Sequence, residues 1–122
     1  TCGGIRSNHC RITAAICAGI GLQCELVLNT PPGAPEGNAS LWLDQLYGAA
    51  VHRVSTAAER SPAMERLAES LRRSGRKPFV IPLGASTPSG ALGFVRSVGE
   101  LRHQTPALDW IFHSTSSGGT QA

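Results

Sequence analysis

The sequence predicts an α/β fold of three layers, an open and mostly parallel sheet with helices on both faces. Three observations point there. CELVL at 24–28, FVIPL at 79–83 and DWIFH at 109–113 are short apolar runs without clean alternation, the pattern of strands buried on both faces. Segments with apolar residues at helical spacing lie between them. Glycine- and proline-containing turns separate the two kinds of segment.

Taken in order, residues 1–4 are the stub of a strand, followed by a turn and a helix over Asn8 to Gly19. Cys10 and Cys17, seven apart, share one face of that helix. After a glycine-containing turn, Cys24 to Leu28 forms a buried strand. NTPPGAPEGN is a loop, and Asn38 caps a helix over Ala39 to Tyr47, with Leu41, Trp42, Gln45 and Leu46 on its mostly apolar face. Gly48 ends it, and Val51 to Val54 is a short strand. Ser61 and Pro62 start the next helix as cap and first residue. Its apolar positions are Met64, Leu67, Ala68 and Leu71, and Gly75 terminates it. Phe79 to Leu83 is a strand, Gly84 to Gly90 a loop, Ala91 to Gln104 a helix, and Asp109 to His113 a last strand running into STSSGGTQA.

A chain of 122 residues corresponds to about one domain. Its net charge of +3 is mild. The basic cluster Arg72, Arg73, Arg76 and Lys77 lies at a helix C-terminus, where cations are favoured, and no aromatics are interleaved with it. No nucleic-acid partner is expected. No apolar run approaches the roughly 20 residues of a membrane span, so no membrane partner is expected either. Cys2, Cys10, Cys17 and Cys24 contain no C-x-x-C pair, which argues against zinc and for small buried thiols. No metal site is expected.

Ligands in open α/β sheets bind beyond the carboxyl ends of the strands, at helix N-termini. Two turns have the composition for that. Gly3 to His9 joins the first strand to the first helix. Ser114 to Thr120 follows the last strand, with hydroxyls and with glycines that let backbone N–H groups close on an anion. Neither is a P-loop or a dinucleotide fingerprint.

TCGGIRSNHCR at the start, EGN at 36–38, KPFVIPLGAS and PSGALGF within 77–94, and SSGGTQA at 116–122 together resemble the D-cysteine desulfhydrase and 1-aminocyclopropane-1-carboxylate deaminase family. These are pyridoxal-phosphate enzymes of the tryptophan-synthase-β-like fold. The resemblance covers essentially the whole chain. It implies pyridoxal 5'-phosphate as cofactor and a parent that is a lyase or deaminase.

It also implies an internal fragment of a longer enzyme. Residues 1–83 would be a small α/β domain, and residues 84–122 the beginning of the return into a large cofactor domain. The Schiff-base lysine would lie upstream and the partner of the pyridine nitrogen downstream, so the chain alone is expected to be inactive. The residues agree on the lysine. The sequence has one, Lys77, at the N-terminal end of a predicted strand and away from the ligand side.

By resemblance, Asn8 contacts the 3' oxygen of the cofactor ring, and Ser117, Gly118, Gly119 and Thr120 cradle its phosphate. Ser7 meets the substrate and handles a proton or attacks. Gly84-Ala85-Ser86 resembles a loop near the same pocket. Ser7 and Asn8 are also ordinary helix caps by chemistry. His9 matches desulfhydrase-like members, where deaminases tend to have glutamine; it is a candidate proton carrier or a satisfied helix-start histidine. Arg6 departs from the motif's usual glutamine, which leaves the substrate open.

D-cysteine, giving pyruvate, ammonia and sulfide, is the first substrate. 1-Aminocyclopropane-1-carboxylate deamination and L-cysteate sulfo-lysis are the alternatives. In a different class stand a non-catalytic module that binds a phosphoryl ligand and an inactive remnant. The parent is expected to be a cytoplasmic homodimer acting on a small amino acid.

Overall fold

The computed structural model describes residues 1–34, 38–105 and 107–115. They fall in two compact units, Thr1–Ile81 and Pro82–Ala122.

The first unit is a βαβαβα run. β1 (Cys2–Gly4), β2 (Glu25–Asn29) and β3 (Ala50–Val54) form a parallel sheet in the order β1-β2-β3. Cys2 pairs with Val27 and Gly4 with Asn29. α1 (Asn8–Gly19) and α2 (Ala39–Leu46) connect these strands, and α3 (Arg60–Arg73) follows β3.

Side-chain parity along β2 defines the layers. Leu26 and Leu28 pack with Cys10 and Ala14 of α1 and Leu41 of α2. Val27, of opposite parity, lines a cavity of about 490 Å³ with Leu67, Ala68 and Leu71 of α3. Successive residues of a strand face opposite sides, so α1 and α2 cover one face and α3 the other.

The helix ends follow local chemistry. Ser7 is the cap of α1 and Asn38 that of α2. α1 stops where Gly21 adopts a φ of 71°, which lets the Leu22 N–H reach back to the Cys17 carbonyl at 2.8 Å. This is a Schellman ending, which needs a residue comfortable in the left-handed region. Gly75 does the same after α3, with a φ of 82°.

Five expectations are corrected. Phe79 to Leu83 does not join the sheet. Pro78 and Pro82 lack the N–H that a ladder requires, Phe79 is 88% exposed, and residues 83–85 form a 3-10 turn instead. Asp109 to His113 is likewise irregular; no described strand pairs with it, and an unpaired apolar segment has no reason to stay extended.

α3 begins at Arg60, with Glu59 and not Ser61 in the cap position and no side-chain cap bond. The Glu59 carboxylate instead accepts from the N–H groups of Ser55 at 2.9 Å and Thr56 at 3.4 Å. Pro62 therefore falls within the first turn, where a missing N–H costs nothing. On α2 the buried face is Ser40, Leu41 and Asp44, with Trp42 and Leu46 exposed.

In the second unit α4 (Pro88–Gln104) starts three residues earlier than the apolar pattern suggests. The Thr87 hydroxyl caps it by accepting from the Gly90 N–H at 3.0 Å. The position is tight, since a Cβ on Gly90 would meet the Ala85 carbonyl oxygen at 2.2 Å.

Candidate functional site

β1 and β2 end side by side at Gly4 and Asn29. From there the chain makes one tight turn, in which the Ser7 N–H donates to the Gly4 carbonyl at 2.8 Å. Ser7 is extended (φ −64°, ψ 118°), and its Oγ accepts from the Cys10 N–H at 3.2 Å. The helix thus opens at the carboxyl edge of the parallel sheet, the place an α/β fold offers a ligand. Gly3 makes the close approach possible, because a Cβ there would lie 2.7 Å from Ser7 and 2.8 Å from Cys10 Sγ.

A cleft of about 530 Å³ opens beside this turn, lined by Gly4, Arg6, Asn29, Pro31, Gly33 and Asn38 among others. Asn38 caps α2 there, accepting from the Leu41 N–H at 2.9 Å. Two helix N-termini therefore serve one edge, each with first-turn N–H groups that have no partner in their own helix.

Ser7, Asn8 and His9 are brought together by being consecutive on this turn. Asn8 is exposed and Ser7 and His9 are half-buried. The Asn8 Oδ1 accepts from Arg11. The Nε2 of His9 pairs with the Thr1 hydroxyl at 2.9 Å. Burial is the main cause that holds His9 below its ordinary 6.5. Burial raises the Cys10 thiol above its usual value, opposed in part by its hydrogen bond to Ser7.

Ser117, Gly118, Gly119 and Thr120 lie outside the described residues. Gly84-Ala85-Ser86 belongs to the second unit, where Gly84 and Ala85 take φ values of 67° and 51°. Lys77 lines the cavity shared with Gln23, Cys24 and Glu25, at the amino end of β2. This is the opposite edge of the sheet from Gly4 and Asn29. Arg76 beside it bonds Glu25 at 3.1 Å, so part of the basic cluster ties the end of α3 to the sheet. Among the described residues no cluster of three His, Cys, Asp or Glu side chains could hold a metal ion, and no helix is long and apolar enough to cross a membrane.

Sequence reading passed over Asn29, which the register places against Gly4, and Arg11. The three-residue spacing of Asn8 and Arg11 on one helix was the available signal for the second.

The donor set at this edge suits a phosphorylated pyridine. An amide can donate to a phenolate oxygen without titrating, a hydroxyl stands beside it, and helix N-termini favour anions.

Comparison with known proteins agrees with this chemistry. Residues 1–122 match the family model for pyridoxal-phosphate dependent enzymes. The chain is 38% identical over 125 residues to an inferred 1-aminocyclopropane-1-carboxylate deaminase of Pyrococcus horikoshii, and 33% identical over 129 residues to a D-cysteine desulfhydrase of Klebsiella pneumoniae. Both alignments take in 100% of this chain; it spans 38% and 39% of the length of those relatives. A solved pyridoxal 5'-phosphate-dependent aspartate racemase superposes with a TM-score of 0.72 at 27% identity, covering 99% of this chain and 33% of that one. Matched along its whole length, the chain belongs to the pyridoxal-phosphate dependent enzyme family, whose cofactor is pyridoxal 5'-phosphate.

Proposed function

We propose that the protein carrying this chain is a lyase of D-cysteine desulfhydrase type, converting D-cysteine and water to pyruvate, ammonia and hydrogen sulfide. The observation that carries the reading is the Ser7-Asn8-His9 turn, opening a helix at the carboxyl edge of a parallel sheet. The name of the Klebsiella relative supports it, as does His9, where deaminases of this group tend to have glutamine.

When bound, the cofactor supplies an electron sink for the substrate carbon that bears the amine. Binding, orientation and proton handling fall to this chain's residues. Asn8 donates its NH2 group to the ring oxygen. Ser7 positions the substrate side and exchanges a proton at Oγ. His9, held below its ordinary 6.5 by burial, has a ring nitrogen that can accept a proton from a reacting group. The Ser117 to Thr120 segment is the proposed phosphate cradle, by its composition of hydroxyls and glycines. In the same reading the enzyme acts on a small amino acid as a cytoplasmic homodimer.

A second reading, 1-aminocyclopropane-1-carboxylate deamination to 2-oxobutanoate and ammonia, is favoured by the name of the Pyrococcus relative. A protein of the relatives' length carrying this chain, assayed with D-cysteine, 1-aminocyclopropane-1-carboxylate and L-cysteate, separates the cases. Sulfide with pyruvate is the expected outcome. 2-Oxobutanoate would favour the second reading, sulfite release would reassign the substrate, and no product from any would overturn the enzymatic reading in favour of a binding module.

A further inference from the structure

Asn8 is exposed, yet its carboxamide is not free to rotate. One turn along α1, the Arg11 guanidinium donates to Asn8 Oδ1 through one nitrogen and to the Ser40 Oγ on α2 through the other, the latter at 2.9 Å. A guanidinium carries five N–H donors and no acceptor. The amide atom that faces it must be oxygen, which leaves the NH2 group of Asn8 turned away as a donor.

The guanidinium is itself held from behind. Ser40 is buried, and one turn further on the same face of α2 stands Asp44, 1% exposed. Its Oδ1 has no hydrogen-bond partner among the described residues, and its charge is attracted to Arg11. An exposed ion pair or helix-surface contact would contribute little. Arg11 is different because it is half-buried and pinned between two helices.

We propose that Arg11 is a positioning residue for the cofactor site: by bridging α1 to Ser40 of α2, it fixes the Asn8 carboxamide with its NH2 group presented to the cofactor. This rests on the reading of Asn8 as a cofactor contact, and the experiment separates the two.

A protein of the relatives' length carrying this chain is stripped of cofactor and titrated with pyridoxal phosphate. Dissociation constant, the pH midpoint of the bound cofactor's visible band, and thermal midpoint are read for each variant. Asn8→Ala is expected to weaken binding about tenfold, the size of one net hydrogen bond, and to move the band midpoint. Arg11→Met is expected to do the same in the same direction. The Asn8→Ala/Arg11→Met double variant should bind no more weakly than Asn8→Ala alone, since both remove one contact. Ser40→Ala should give a smaller change of the same sign.

If Asn8→Ala leaves affinity and band unchanged, the cofactor reading of Asn8 falls and the proposal with it. If Asn8→Ala changes them and Arg11→Met only lowers the thermal midpoint, Arg11 is structural and the proposal alone is overturned. Should Arg11→Met fail to fold, Arg11→Lys decides. It keeps the charge beside Asp44 but lacks the planar fork that reaches two acceptors. Wild-type affinity and band in that variant would overturn the proposal, and loss of either in a folded protein would support it.

Discussion

A Cβ built on Gly3 would lie 2.7 Å from both Cβ and Oγ of Ser7. The strand and the helix cap of the candidate site are in contact through the absence of one methyl group. Gly3→Ala is therefore expected to cost about 1–3 kcal/mol, the usual penalty for overpacking, and to displace the turn that carries Ser7 and Asn8. Chemical denaturation measures the first effect. An unchanged denaturation midpoint would show that the turn yields more easily than its packing indicates.

Ser7 has two separable contributions. As a cap accepting from the Cys10 N–H, its loss in Ser7→Ala should cost about 1 kcal/mol of stability. In its proposed place on the reacting side of the substrate, its loss should lower kcat on the order of 100-fold in a protein of the relatives' length. Cofactor affinity should hardly move, because that contact is proposed for Asn8 and for the Ser117 to Thr120 segment. Full kcat on every candidate amino acid would leave Ser7 as a cap only.

Asp44 makes stability depend on pH. Burial raises its carboxyl above the ordinary 3.8, and the attraction of Arg11 opposes this only in part. The folded state then holds its proton at pH values where the unfolded chain has lost it. The sign follows from linkage: this group favours folding below about 3.8, and that advantage is lost as pH rises through the folded-state value. Asp44→Asn, which removes the buried charge, should raise the thermal midpoint at pH 7, and the gain should shrink as pH falls toward 4. A gain that grew on acidification would contradict the assignment.

The thiols should differ in reactivity. Cys24 is buried, and burial followed by the neighbouring Cys17 pushes it up to about 12; burial also raises Cys10. Thiolate is the reactive form. Brief alkylation of the native chain at pH 7.5, read by mass spectrometry, should mark half-buried Cys17 ahead of Cys10 and Cys24, and denaturant should make all four cysteines react. Early labelling of Cys24 would show that its surroundings open readily.

Local features were the legible ones. The Asn8–Gly19 helix was readable to the residue, because a Ser cap begins it and a glycine-containing turn stops it. The Asn38 cap and the Gly75 ending were readable for the same reason: each depends on chemistry within a few residues. The cofactor was legible through two motifs in order along the chain. Phe79 to Leu83 misled, because an apolar run carries strand propensity but says nothing of whether an edge is available to pair with it, and Pro82 within it and Pro78 just before it lack the N–H a ladder needs.

By itself, then, the sequence determined the alternation of elements as far as α3, the caps of α1 and α2 and the family, since periodicity and capping are properties of neighbours in the chain. Only the tertiary structure decided that Asn29 ends beside Gly4, that Gly3 must lack a side chain against Ser7, and that Arg11 reaches from Asn8 to Ser40 past a buried Asp44. The pairing of Gly4 with Asn29 and the reach of Arg11 to Ser40 join residues far apart in sequence, and the closeness of Gly3 to Ser7 depends on the angle at which α1 leaves β1. They arise from parallel register and from the packing of α1 on α2, and a pattern of residue types along the chain does not encode which side chains will meet there.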